Sequence, residues 1–175
     1  MKVYEDSKRS PKERAVSLVS EMTLEEKIKM LNDYAIGWYS SSQADYIHEA
    51  IFRAQGFVKF ADRCKEEGDE ELEEARKCTA RVVSLGGQPA IGYVEQPLFC
   101  EIKDLLKDWD DGFKEFKGVE RMENEIANLA DDSITRKLLE GFIECEAEHR
   151  AWVAQHMGII KRIGYDNYLT LQLGD

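Results

Sequence analysis

The chain has 175 residues, 43% hydrophobic and 34% charged, with a formal net charge of −11. That length fits one domain with a single sizeable core, and the composition is globular, not disordered. The acidic balance argues against nucleic acid or an anionic membrane as a main partner, and no apolar run is long enough to span a bilayer.

In chain order, Ser10 followed by Pro11 and Glu13 predicts an N-cap and first turn, opening a short helix to about Glu21. Thr23 through Glu26 reads as a capping box, in which threonine and glutamate satisfy each other's orphan amides, and a long helix follows to about Gln55. A second helix is expected over roughly 57–85, with a soft spot near Gly68 and a stop at Gly86-Gly87. A connection runs from about Gly86 to Gln96, and a third helix covers about 99–130. Asp131, Asp132 and Ser133 cap a fourth helix, which Gly164 ends after about Ile163, and residues 165–173 predict a short fifth. Four long helices with one long connection between the second and third describe an all-α four-helix bundle with a crossover. Residues 1–22 are then an N-terminal helical extension and 23–175 the bundle.

Residues three, four and seven apart share a helix face, which separates inward from outward charges. On the fourth helix the apolar stripe is Leu139, Phe142, Ile143, Trp152, Val153, Met157 and Ile160, and Glu146 and His149 fill its gap. On the second, Phe57, Cys64, Glu71, Cys78 and Leu85 form a line of seven-residue steps, with Glu74 beside Cys78. Glu115 shares a face with Val119, Met122 and Ile126 on the third, and the first carries Leu31, Trp38, Asp45 and Phe52. The dense acidic run at 66–74 otherwise reads as an exposed helix face. Burying one unpaired carboxylate costs several kcal/mol, so Glu71, Glu74, Glu115, Glu146 and His149 need neutralising. A metal ion would do so, and oxygen plus imidazole donors suit iron or manganese. The alternative is pairing with Lys or Arg, or a wet bundle end.

With these residues in view, the sequence resembles the bacterioferritins of the ferritin-like superfamily over about residues 28–173. The likeness is carried by "ECEAEHRAW", "IGYDNYLTLQL", "FRAQGF" and "RVVSLGGQP". The resemblance implies a ferritin-like bundle and a metal pattern of Glu, Glu-x-x-His, Glu and Glu-x-x-His on the four helices. Carried over, it gives Glu71 and Glu146 as bridges, with Glu115 and His149 as the terminal pair of one metal. Two positions depart: Glu74 stands where the second-helix His is expected, and Trp38 where the first-helix Glu is expected. Asp45, two turns from Trp38, is an extra oxygen on that face. The family's haem methionine falls on Leu72, so haem of that type is not expected.

The resemblance implies iron ions as partner and a homo-oligomer, either a dimer or a ferritin-like shell, which other ferritin subunits could join. Two readings stay open: iron(II) oxidation and storage, which would make the chain a ferroxidase, or a structural subunit with a mononuclear or empty site. An oxidase acting on an organic substrate is a third. The charged N-terminus and four separated cysteines predict a reduced, cytoplasmic protein. Residues 10–31 also resemble the opening helices of family 3 glycoside hydrolases, but the chain is far too short for that barrel.

Overall fold

Thr23 accepts a hydrogen bond from the Glu26 amide at 3.2 Å while the Glu26 carboxylate accepts from the Thr23 amide at 2.7 Å. This reciprocal cap starts the first helix where the sequence predicts it. The computed structural model describes residues 22–115 and 118–174, with side chains left out at 114, 115 and 118. It contains α1 (Leu24–Ala54), α2 (Val58–Ser84), α3 (Ile102–Glu115), α4 (Gly118–Ala127), α5 (Ser133–Ile163) and α6 (Tyr165–Leu171), and no strand among the described residues. The extension expected over 10–21 lies outside the described residues. The third helix that the spacing predicts over about 99–130 is described as α3 and α4, on either side of residues 116 and 117, which lie outside the described residues.

Gly56, at φ 87°, turns α1 back into α2, and the two make the most extensive helix pairing in the fold. Gly68 does not soften α2, which runs through it unbroken. Its role is close approach: the Ser42 hydroxyl donates to the Gly68 carbonyl at 2.8 Å, and a Cβ there would meet Tyr46 at 3.1 Å.

After Gly86, at φ 77°, the crossover runs along α1 without secondary structure of its own. Several of its backbone groups are satisfied by α1 side chains spaced about two turns apart. Asn32 accepts from the Ala90 amide at 2.9 Å, Ser40 from Val94 at 2.9 Å, and His48 Nε2 from Phe99 at 3.0 Å. Gln55 donates to the Cys100 carbonyl at 3.0 Å. These contacts carry the chain to the far end of α1, where α3 can start.

The core falls into two apolar clusters. Met30, Leu31, Trp38, Ala75, Cys78, Val82, Met122, Leu139 and Phe142 belong to the first. Phe52, Phe60, Cys64, Ile102, Leu105, Leu106, Val153 and Tyr168 belong to the second. α6 folds back onto the second cluster, with Tyr168 fully buried and its hydroxyl 2.7 Å from His156 Nδ1.

At the opposite end, Asp132 caps α5 by accepting from the Thr135 amide at 3.0 Å. Arg81 of α2 meets the same carboxylate at 2.8 Å, and Lys27 of α1 reaches it at 3.7 Å. One acid thus ties three helices. Its burial opposes ionisation, but hydrogen bonds from Thr135 and Arg81 outweigh this and lower its pKa from 3.8 to about 2. A depressed carboxylate pKa contributes stability above the unfolded value, which is lost as pH falls through the folded one. Asp132→Ala is therefore expected to lower the urea-unfolding free energy at pH 7 by about 2 kcal/mol, through the lost cap and ion pair. The penalty should shrink between about pH 4 and about pH 2; a penalty constant across that window would contradict the linkage.

Candidate metal centre

Between the two apolar clusters lies a layer of ionisable side chains. The helical repeat places it there. On α1, Asp45 and His48 fall between Trp38 and Phe52; on α2, Glu67 and Glu71 fall between Cys64 and Ala75; on α5, Glu146 and His149 fall between Phe142 and Val153. Asp45, His48 and Glu67 are only 5%, 2% and 4% exposed. An open cleft of about 1140 Å³ borders the layer, lined by Asp45, His48, Glu71, Glu146, His149 and Asp108 among others.

Glu71 resists ionisation in this layer. Its Oε2 is closed to solvent and has no hydrogen-bond partner among the described residues. Burial, then the charge of Asp45 and a hydrogen bond shared with it, then the carboxylates of Glu146 and Glu74, push it well above the usual carboxylate range. Burial and Glu146 push Glu74 up to about 8, against a hydrogen bond to Cys145 that acts in the other direction. Burial also raises Glu146. These three acids thus lie close enough to feel one another.

His149 lies among different neighbours. Trp109 and Phe113 stand edge-on to its ring, with centroids at 4.8 and 5.1 Å. Its Nδ1 is 3.1 Å from Glu67 Oε2, and Glu67 is ion-paired with Arg63 one turn earlier on α2. Burial, then the Arg63 guanidinium, push the imidazole down to about 3, so the ring is neutral at ordinary pH. Its Nε2 is buried without a partner among the described residues.

Of the residues that the spacing singles out, Glu71, Glu74 and Glu146 are thus neighbours, while His149 engages Glu67. Glu115 ends α3, but its side chain lies outside the described residues. Among the described residues no three His, Cys, Asp or Glu side chains are grouped closely enough to hold a metal ion as they stand. Trp38 is 8% exposed, stacked on Tyr34 at 5.1 Å and edge-on to Phe142 at 4.5 Å, so the first-helix position packs into the first apolar cluster at the edge of the cleft.

Glu67 is the buried acid that the sequence reading treats as part of an exposed run. A signal was present, since Glu67, Glu71 and Glu74 stand four and seven residues apart on one face. His48 likewise follows Asp45 by three and precedes Phe52 by four. Glu66 and Glu70 of the same run are exposed, as that reading expects.

The profile of the ferritin-like domain matches residues 28–163, from one turn inside α1 to the end of α5. The chain belongs to the ferritin-like family. It is similar to a bacterial ferritin of Neisseria meningitidis serogroup B, 24% identical over 147 residues, covering 83% of this chain and 96% of that protein. A bacterial ferritin of Paramagnetospirillum magnetotacticum is 26% identical over 156 residues, covering 85% of this chain and 92% of its own. A bacterioferritin of Brucella melitensis biotype 1 is 22% identical over 143 residues, covering 81% and 88%. The ionisable layer of this ferritin-like chain lies wholly inside the matched span.

A carboxylate crowded by like charges in the interior destabilises the fold that holds it. Glu71→Gln is expected to raise the thermal unfolding midpoint of the metal-free protein at pH 7, with a gain of about 1–2 kcal/mol. A lower midpoint would show that the contacts of the Glu71 carboxyl, its hydrogen bond with Asp45 included, outweigh its crowding.

Proposed function

We propose that this ferritin-like protein takes iron(II) as a substrate into the layer between its two apolar clusters and oxidises it there. The observation that carries the reading is the Glu71 carboxylate, with an unpartnered interior oxygen and three acids around it. Such a cluster favours a hard cation, and carboxylate oxygens favour iron(III) over iron(II), which assists loss of an electron to dioxygen or peroxide. Asp45, Glu71 and Glu146 are the oxygen donors in this proposal, with Asp45 taking the part of the acid missing at Trp38. Glu74, His149 and, by its place in the pattern that the family resemblance implies, Glu115 complete the donor set, and manganese would suit the same oxygens.

The expected capacity is one well-held iron per chain, because Trp38 brings an indole where a second position needs a first-helix carboxylate. Metal analysis after loading and desalting measures this directly. Iron(II) added in air should give an ultraviolet rise faster than buffer alone, slowed at least about tenfold by Glu146→Ala, which removes a donor. The packing of Trp38 into the apolar cluster also favours a second reading, a structural subunit that assembles with active ferritins. That reading expects no retained iron, and a rate equal to buffer that neither Glu146→Ala nor His149→Ala changes.

A homo-oligomer fits the same proposal. The crossover exposes Ile91, Tyr93 and Leu98, apolar surface of the kind that a second copy covers. Native sizing separates a shell from a dimer. No described helix is long and apolar enough to cross a membrane. A reducing cytoplasm suits Cys64, Cys78, Cys100 and Cys145, all of which are free thiols.

A further inference from the structure

We propose that the open cleft beside the ionisable layer takes a small organic cation, a primary amine on an aromatic body. The inference goes beyond the iron reading and does not depend on it, because it needs only the acids and the aromatic walls of the metal-free chain.

The cleft is far larger than an ion requires. It holds about 1140 Å³, and sites that enclose a drug-sized organic molecule run to about 300–1,000 Å³. Its walls are also of the wrong chemistry for an ion alone. Trp38 of α1 and Trp109 and Phe113 of α3 line it. Trp38 stands where the family pattern implies an acid, and Phe113 meets the His149 ring edge-on at 5.1 Å. Aromatic surface beside open water is what a ligand with an apolar body covers.

Charge sets the sign of that ligand. Among the described residues seven acids and two arginines line the cleft, and one of these arginines, Arg121, is already paired with Glu125 at 3.0 Å. Asp45 is 5% exposed, and Glu71 Oε2 is closed to solvent without a hydrogen-bond partner among the described residues. An anionic ligand would add to the repulsion among these carboxylates, and a neutral one would leave it unrelieved. An ammonium group donates hydrogen bonds to carboxylate oxygens, and its charge is attracted to an indole face as well. The amine end therefore faces Asp45 and Glu71, with the ring among Trp38, Trp109 and Phe113.

Chelator-treated protein titrated with 2-phenylethylammonium should show one binding event per chain by calorimetry, with a change in tryptophan fluorescence. Neutral 2-phenylethanol, which keeps the shape, and propylammonium, which keeps the charge, should each bind at least about tenfold more weakly. Asp45→Asn should remove most of the preference for the amine over the alcohol, and Trp109→Leu should weaken both ring-bearing ligands. In the wild-type protein, nuclear Overhauser contacts should join the ring protons of the bound amine to the Trp109 indole, a measurement that needs no variant to fold. Equal affinity for amine and alcohol would overturn the inference, since the acids would then take no part. So would equal affinity for 2-phenylethylammonium and propylammonium, since only the acidic surface would then be at work, and so would no binding at all. Iron(II) oxidation without amine binding would refute this inference and leave the iron reading standing; amine binding with no iron retained or oxidised would do the reverse.

Discussion

A four-helix bundle can bury acids only by separating them from the dry parts of its core, and that constraint organises this molecule. Two apolar clusters occupy the ends, and the interior charge is confined to the layer between them. The neighbouring carboxylates of Asp45, Glu146 and Glu74 raise the cost of ionising Glu71, and Glu146 raises that of Glu74, with burial the larger effect on both. The clusters supply the hydrophobic free energy that offsets this local penalty. An ion of opposite charge in that layer would relieve the penalty, which is why the polar layer is also the place for chemistry.

The first helix serves two masters. Toward the core it carries Leu31, Trp38, Asp45 and Phe52; toward the crossover it carries Asn32, Ser40, His48 and Gln55, each bonded to that segment's backbone. With partners on both sides it has no polar face of the ordinary kind. The crossover in turn needs these side chains, because a strandless, helixless stretch has no internal partners for its amides. His48 joins the two tasks. It accepts from Phe99 while its Nδ1 lies 3.8 Å from Asp45, so the crossover is tied directly to the charged layer.

The two sides of the layer differ. Near Trp38, Tyr34 and Phe142 stack into an apolar wall. Near His149, Arg63 brings a positive charge into the interior and Glu67 receives it. One side is therefore aromatic and the other internally ion-paired. This asymmetry is the chain's main departure from the fourfold pattern implied by its family resemblance, in which each metal has an acid and an imidazole.

The local rules of the helix determined a good part of this in advance. Caps at Thr23 and Asp132, stops at Gly86 and Gly164, and seven-residue stripes through Glu71, Glu146 and His149 follow from chain geometry over one or two turns. Any partner within four residues is legible in the same way. What the linear chain could not disclose is which helix faces which at a given level. Only packing brought Gly68 against Ser42, turned an acidic run's Glu67 toward His149 some 80 residues away by sequence numbering, and laid the crossover along α1. The physical reason is that burial and charge pairing depend on distances between elements, and those distances are set by the whole bundle at once.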